Sequence, residues 1–226
     1  MSSEAWMSLL RAGVDTATTD QVKEALGQAR GCAIDGDWGT HPIGIAMALN
    51  KPKMALILIA LGESLQEIDD SGDTLLCVAT GFYEHEVVAA LLAKGVPPDE
   101  RSRNGGTALH QACFNADVRV ARLLLVAGAD IHARDCQGRT PLHRACQSEN
   151  PPICIALLEG GADLQALDNK QQTPMELLFS EGGDPQASSH LQGVIDSFVG
   201  ARNAMRAIDQ VLEEAVKSRT RHECKS

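Results

Sequence analysis

The sequence predicts an all-α solenoid of stacked helix pairs. Three observations carry that reading: a 33-residue step in the sequence, a helix-capping residue at the head of each step, and a core that must do without aromatics. Thr140-Pro141-Leu142-His143-Arg144-Ala145 has a counterpart 33 residues earlier in Thr107-Ala108-Leu109-His110-Gln111-Ala112. Another step back gives Thr74-Leu75-Leu76-Cys77-Val78-Ala79, and a third gives the degenerate His41-Pro42-Ile43-Gly44-Ile45-Ala46. Forward, Thr173-Pro174-Met175-Glu176-Leu177 keeps the step. Aromatics are only 3% of a chain that is 44% hydrophobic, so small aliphatics fill the core, which suits closely packed helices.

Each part of the unit has a physical reason. Thr accepts from the orphan N–H groups of a helix start, and Pro fits the first helical position. Leu109 with Ala112, and Leu142 with Ala145, lie three apart on one helical face, where the small Ala permits close approach. A second helix ends in an apolar pair, Leu58-Ile59, Leu91-Leu92, Leu124-Leu125 or Leu157-Leu158. Gly62, Gly95, Gly128 and Gly161 follow, able to take the left-handed C-terminal conformation. Asp135 to Gly138 reads as a turn. One such unit cannot bury its apolar face alone, so neighbours must stack.

The ends depart from the pattern. Residues 1–34 read as an N-terminal capping unit, with helical patterns around Ala5–Leu10 and Gln21–Ala29; residues 35–180 read as the repeats; residues 181–226 read as an irregular last repeat, an added helix and a basic tail. In that last part Glu181 to Pro185 reads as a loop, Ser188 or Ser189 as the next cap, and Gly200 as a divider between two helices. Lys217 to Ser226 is expected to fray.

The Thr-Pro-Leu-His-x-Ala motif at 140–145, with its in-register echoes, resembles the ankyrin repeat family, over roughly residues 35–180. The resemblance implies about five repeats including capping units. It also implies a protein-binding role on a concave surface made of turn tips and the exposed side of each first helix. Carried onto this chain, those positions include Trp38, Asp70, Asp73, Arg103 and Arg139 at tips, and Phe82 and Phe114 on helices, with Tyr83 and Arg144 adjacent. Three of seven aromatics fall on these positions, so Trp38, Phe82 and Phe114 are expected to line one binding stripe. The resemblance also implies that His110 and His143 bridge neighbouring turns.

The net charge is −10, and residues 1–100 hold nearly all of it, with 6 Lys and Arg against 15 Asp and Glu. The early tips are acidic (Asp35, Asp37, Asp69, Asp70, Asp73) and the middle ones basic (Arg101, Arg103, Arg134, Arg139). An acidic face repels nucleic acid and anionic lipid and favours a partner protein with a basic patch. The seven cysteines include no CxxC pair and scatter as no disulfide framework does. With no basic start leading into an apolar run, and no apolar run long enough to span a bilayer, a cytoplasmic setting is expected. His110-x-x-Cys113 and His143-x-x-Cys146 have ligand-like spacing, and the repeat explains both better than a metal or a nucleophile does; Asp35-Gly36-Asp37 resembles the start of a calcium loop but lacks the later Glu, and a repeat turn explains it. No cofactor, metal or catalytic site is expected. The reading is a stand-alone adaptor or inhibitor, monomeric, with self-association through the C-terminal helix as a further route. A bacterial immunity role and an enzyme built on the C-terminal region are the alternatives.

Overall fold

A computed structural model describes residues 42–48, 50–62, 65, 72–82, 84–180 and 185–223. The expected N-terminal capping helices, Trp38, Asp70, Tyr83 and the loop at 181–184 lie outside the described residues. Helices α1 (Pro42–Ala48), α3 (Leu75–Gly81), α5 (Ala108–Phe114), α7 (Pro141–Gln147) and α9 (Pro174–Ser180) form an inner row. Helices α2 (Pro52–Ala60), α4 (His85–Ala93), α6 (Val118–Val126), α8 (Pro151–Glu159) and α10 (Pro185–Glu223) form an outer row. Each inner helix packs on its own outer partner and on the next inner helix, so the chain advances one helix pair per 33 residues.

Inner helices have 7 residues and most outer helices 9, lengths that do not hold in isolation. Stacking holds them. Ala46, Ala79, Ala112 and Ala145 are fully buried at the inner row, and Leu58, Leu91, Leu124 and Leu157 are fully buried under the outer row. The four glycines after the apolar pairs all have positive φ, between 79° and 96°. Asp135 Oδ1 accepts the backbone N–H groups of Gln137 and Arg139, each at 2.9 Å, and closes the turn as its spacing predicts.

The head of each unit is built as expected. The backbone N–H of Thr140 donates to His143 Nδ1 at 3.1 Å. With Nδ1 accepting, Nε2 carries the proton and donates to the Gln172 carbonyl of the next turn at 3.1 Å. His110 repeats this between Thr107 and the Arg139 carbonyl at 3.0 Å. Burial lowers the pKa of both imidazoles, which keeps them neutral for this role. Both ring nitrogens of each histidine are thus committed within the stack. The last unit uses Glu176, which accepts the Thr173 N–H at 2.8 Å. A carboxylate has no proton to donate onward, and no further turn follows Thr173 among the described residues.

The C-terminal part differs from expectation. The last repeat's second helix and the added helix are one 39-residue helix, about 58 Å long at 1.5 Å per residue. Gly200 does not divide it, because an exposed helical glycine costs only about 1 kcal/mol and leaves the hydrogen-bond ladder intact. Ser188 is inside the helix rather than at its cap, and its hydroxyl donates to Glu149 Oε1 at 2.9 Å. Leu191 and Ile195 are buried against the stack. Arg202 reaches the Leu158 carbonyl with Nη1. Beyond it residues 203–206 are exposed, Met205 among them. The basic segment expected to fray is helical through Glu223, and 224–226 lie outside the described residues.

Candidate functional site

The inner helices and the turns before them enclose a cavity of about 550 Å³. It spans three successive units. Asp73, Cys77, Val78, Gly81 and Phe82 come from the first; Ser102, Asn104, Gly106, Thr107, His110, Gln111 and Phe114 from the second; Asp135 and Arg144 from the third.

The cavity exists because three repeat positions hold small residues at this junction. Where the next two units have His110 and His143, this one has Cys77. Its backbone N–H donates to Thr74 Oγ1 at 3.2 Å, so the helix is still capped. Where the next two inner helices carry Phe114 and Gln147, α3 has Gly81; where the next two turns carry Arg139 and Gln172, this turn has Gly106. At the following junction those places are filled. His110 bridges to Arg139, and the Arg139 side chain is buried there, with Nη1 donating to Gln147 Oε1 at 3.3 Å and Nε 4.0 Å from Asp168 Oδ2.

The polar groups of the cavity are arranged around one ion pair. Arg144 Nη2 lies 2.6 Å from Asp135 Oδ2, and its guanidinium carbon lies 6.0 Å from the centre of the Phe114 ring, the outer limit of a cation–π contact. Phe114 is 53% exposed, more open than the half-buried Phe82 and Phe198. Cys77 is no nucleophile: burial pushes its thiol up to about 11, and the carboxylates of Asp73 and Glu100 add to the shift.

Four of the nine residues expected at the binding surface meet in this cavity: Asp73, Phe82, Phe114 and Arg144. Trp38, Asp70 and Tyr83 are not described. Arg103 is exposed at its turn tip, and its backbone N–H donates to the Gly72 carbonyl at 2.6 Å. Arg139 corrects the expectation. The position before the capping Thr points into the stack, and Arg139 is only 5% exposed. The other tip arginines are also tied down: Arg101 Nη1 donates to the Arg134 carbonyl at 2.6 Å, and Arg134 in turn reaches the Leu167 carbonyl.

The two phenylalanines are not equivalent. Phe114 is seven residues after its Thr and faces solvent. Phe82 is eight after its Thr, a position whose counterparts reach back one unit: Ser148 Oγ donates to the Cys113 carbonyl at 2.9 Å, and Asn115 Nδ2 to the Thr80 carbonyl at 3.5 Å. Phe82 accordingly packs, half-buried, against the core. The expected stripe therefore reduces, among the described residues, to one exposed ring and one cavity wall. Sequence reasoning missed the cavity itself. Its signal was available in the columns of the repeat, as glycine and cysteine where sister units carry large side chains.

Stacked two-helix units with capped inner helices and histidine-bridged turns define a repeat scaffold in which each unit is held by its neighbours. A family model for ankyrin repeats (three copies) matches residues 43–135, 76–168 and 109–184, together well over half of the chain. The chain belongs to the ankyrin repeat family, whose members generally mediate protein–protein interaction and are typically not enzymes. No curated protein matches it. Among the described residues no helix is long and apolar enough to cross a membrane.

Proposed function

We propose that this chain is an adaptor or inhibitor that grips a partner protein through its concave face, centred on the cavity between α3 and α5. The observation that carries the reading is the exposed Phe114 ring beside a cavity of about 550 Å³. Large exposed rings next to a pocket are the usual anchors of binding energy. The net charge of −10 supports a partner with a basic patch, and association with it should slow as salt is added. Cysteines left as free thiols, five of them among the described residues, support a reducing, cytoplasmic setting.

The test is parallel affinity capture from native cells with the wild-type chain and with Phe114→Ala. The reading expects a partner that the wild type retains and the variant loses, while both melt at the same temperature. Equal retention by the two would remove the concave cavity from the function.

A further inference from the structure

Resting on that reading of the concave face, we propose that the cavity takes a histidine side chain of the partner, its imidazole standing in for the ring that His110 and His143 supply in the next two units. The comparison is internal to the molecule. In those units Nδ1 accepts the Thr N–H, and Nε2 donates to the carbonyl that precedes the next Thr, Arg139 at 3.0 Å or Gln172 at 3.1 Å. Gly106 is the counterpart of that carbonyl one unit earlier. It accepts the Ser102 N–H at 2.9 Å, as the Arg139 carbonyl accepts that of Asp135 at 3.0 Å. The second donor is what differs. Cys77 stands where the histidine would be, its thiol pairs with the Thr74 side chain of its own turn, and no ring among the described residues donates to Gly106. Cys77 and Gly106 both line the cavity.

The way to that carbonyl is open. At the next junction the Arg139 side chain lies buried beside Gln147 and Asp168; here Gly106 leaves the equivalent space, beside Phe114 and Asp135, unfilled. The space is not a by-product of backbone needs. Neither Gly81 nor Gly106 has a positive φ. A Cβ on Gly81 would meet nothing within 4 Å, and one on Gly106 would meet only ordinary contacts at 3.8 Å. What glycine supplies at both positions is room, although glycine inside α3 weakens the helix. The charges of the cavity favour a neutral occupant. Asp135 is paired with Arg144 at 2.6 Å, and the same guanidinium reaches Gln147 at 3.4 Å and Gln137 at 3.5 Å. A neutral imidazole brings the missing N–H without adding a charge, and its flat face can stack on the exposed Phe114 ring.

The probe is a capped tripeptide, acetyl-glycyl-histidyl-glycine amide, titrated into the full chain at about pH 7.5, where the free imidazole is neutral, and followed by amide chemical shifts. Counterparts carrying leucine, tryptophan or a histidine methylated at Nε2 serve as comparisons. Saturable shifts at Cys77, Gly106 and Thr107 are expected, with the methylated ring, which has lost its donor, binding at least about tenfold more weakly. Cys77→His, which supplies the ring in cis, should abolish the response and release the captured partner. Gly106→Arg, which fills the space as Arg139 does at the next junction, should do the same if the first variant folds poorly. Equal binding of the methylated or leucine peptide, tighter binding of the tryptophan peptide, shifts confined to other residues, or no saturable shift up to about 10 mM peptide would overturn the proposal. So would full retention of the partner by a folded Cys77→His. Loss of partner capture by Phe114→Ala is read independently, so the histidine pocket can fail while the concave binding face stands.

Discussion

Two junctions in this stack share one helix arrangement and differ in the side chains that line them. Between α5 and α7, His110 bridges to the next turn, Arg139 is buried beside Asp168, and Gln147 completes the seal. Between α3 and α5, Cys77, Gly81 and Gly106 leave a cavity, and Asp73 adds a carboxylate to its wall. Both inner helices at the open junction are still capped, at Thr74 and Thr107, and both still bury their Leu and Ala faces. The repeat therefore separates two tasks. The capping Thr and the buried Leu, Ala and outer-helix apolar residues hold the solenoid. The positions three and seven residues after the Thr, and the one before it, decide whether a junction is closed or available.

The largest effect should come from breaking what the junctions share. Leu142 is fully buried, and Leu142→Asp puts an unpaired charge there, at a cost of more than about 4 kcal/mol. Circular dichroism should show the cooperative melt lost; native-like helicity and melting would contradict the placement of this face. Next, His143→Ala should cost about 2 kcal/mol, since it strands the Gln172 carbonyl and the Thr140 N–H inside the stack. Cys77→Ala, at the open junction, breaks no bridge and should cost about 1 kcal/mol or less. Equal losses in chemical denaturation would erase the difference between the junctions.

The bridging histidines also predict a pH dependence. Burial lowers the folded-state pKa of His110 and His143 below the ordinary imidazole value of 6.5, so the unfolded chain binds protons first as pH falls. Their contribution is therefore fully present above about 6.5 and declines below it, until the folded-state values are reached. Denaturant midpoints measured between pH 7.5 and 5 should fall, and fall less in His143→Ala. The smallest effects come from closing the gap. Cys77→His gives the open junction its missing bridge and should gain about 1 kcal/mol. Gly81→Ala, where nothing stands within 4 Å of the added Cβ, should gain about 0.5–1 kcal/mol from helix propensity alone.

Much of the stack was legible from residues because its chemistry is local. A Thr at a helix start, an Ala three residues from a Leu, and a Gly after an apolar pair each state their own backbone geometry. The site was less legible because exposure depends on the neighbouring unit. Arg139 looks like a turn-tip cation, yet its stem enters the stack. Phe82 and Phe114 sit one position apart in their units, and that single residue leaves one ring half-buried against the core and the other in solvent. Gly200 has the composition of a break but not its physics, since glycine keeps the backbone N–H that proline lacks and α10 runs through it.

The central claim is that Phe114 serves binding and not folding, and one paired measurement on Phe114→Ala addresses it: a thermal melt, and a titration against the captured partner. With the ring 53% exposed, the melt should shift by no more than about 0.5 kcal/mol of stability. Binding should weaken by about 2 kcal/mol, roughly thirtyfold in Kd. A loss of about 3 kcal/mol in folding with affinity unchanged would contradict the account and return Phe114 to the scaffold.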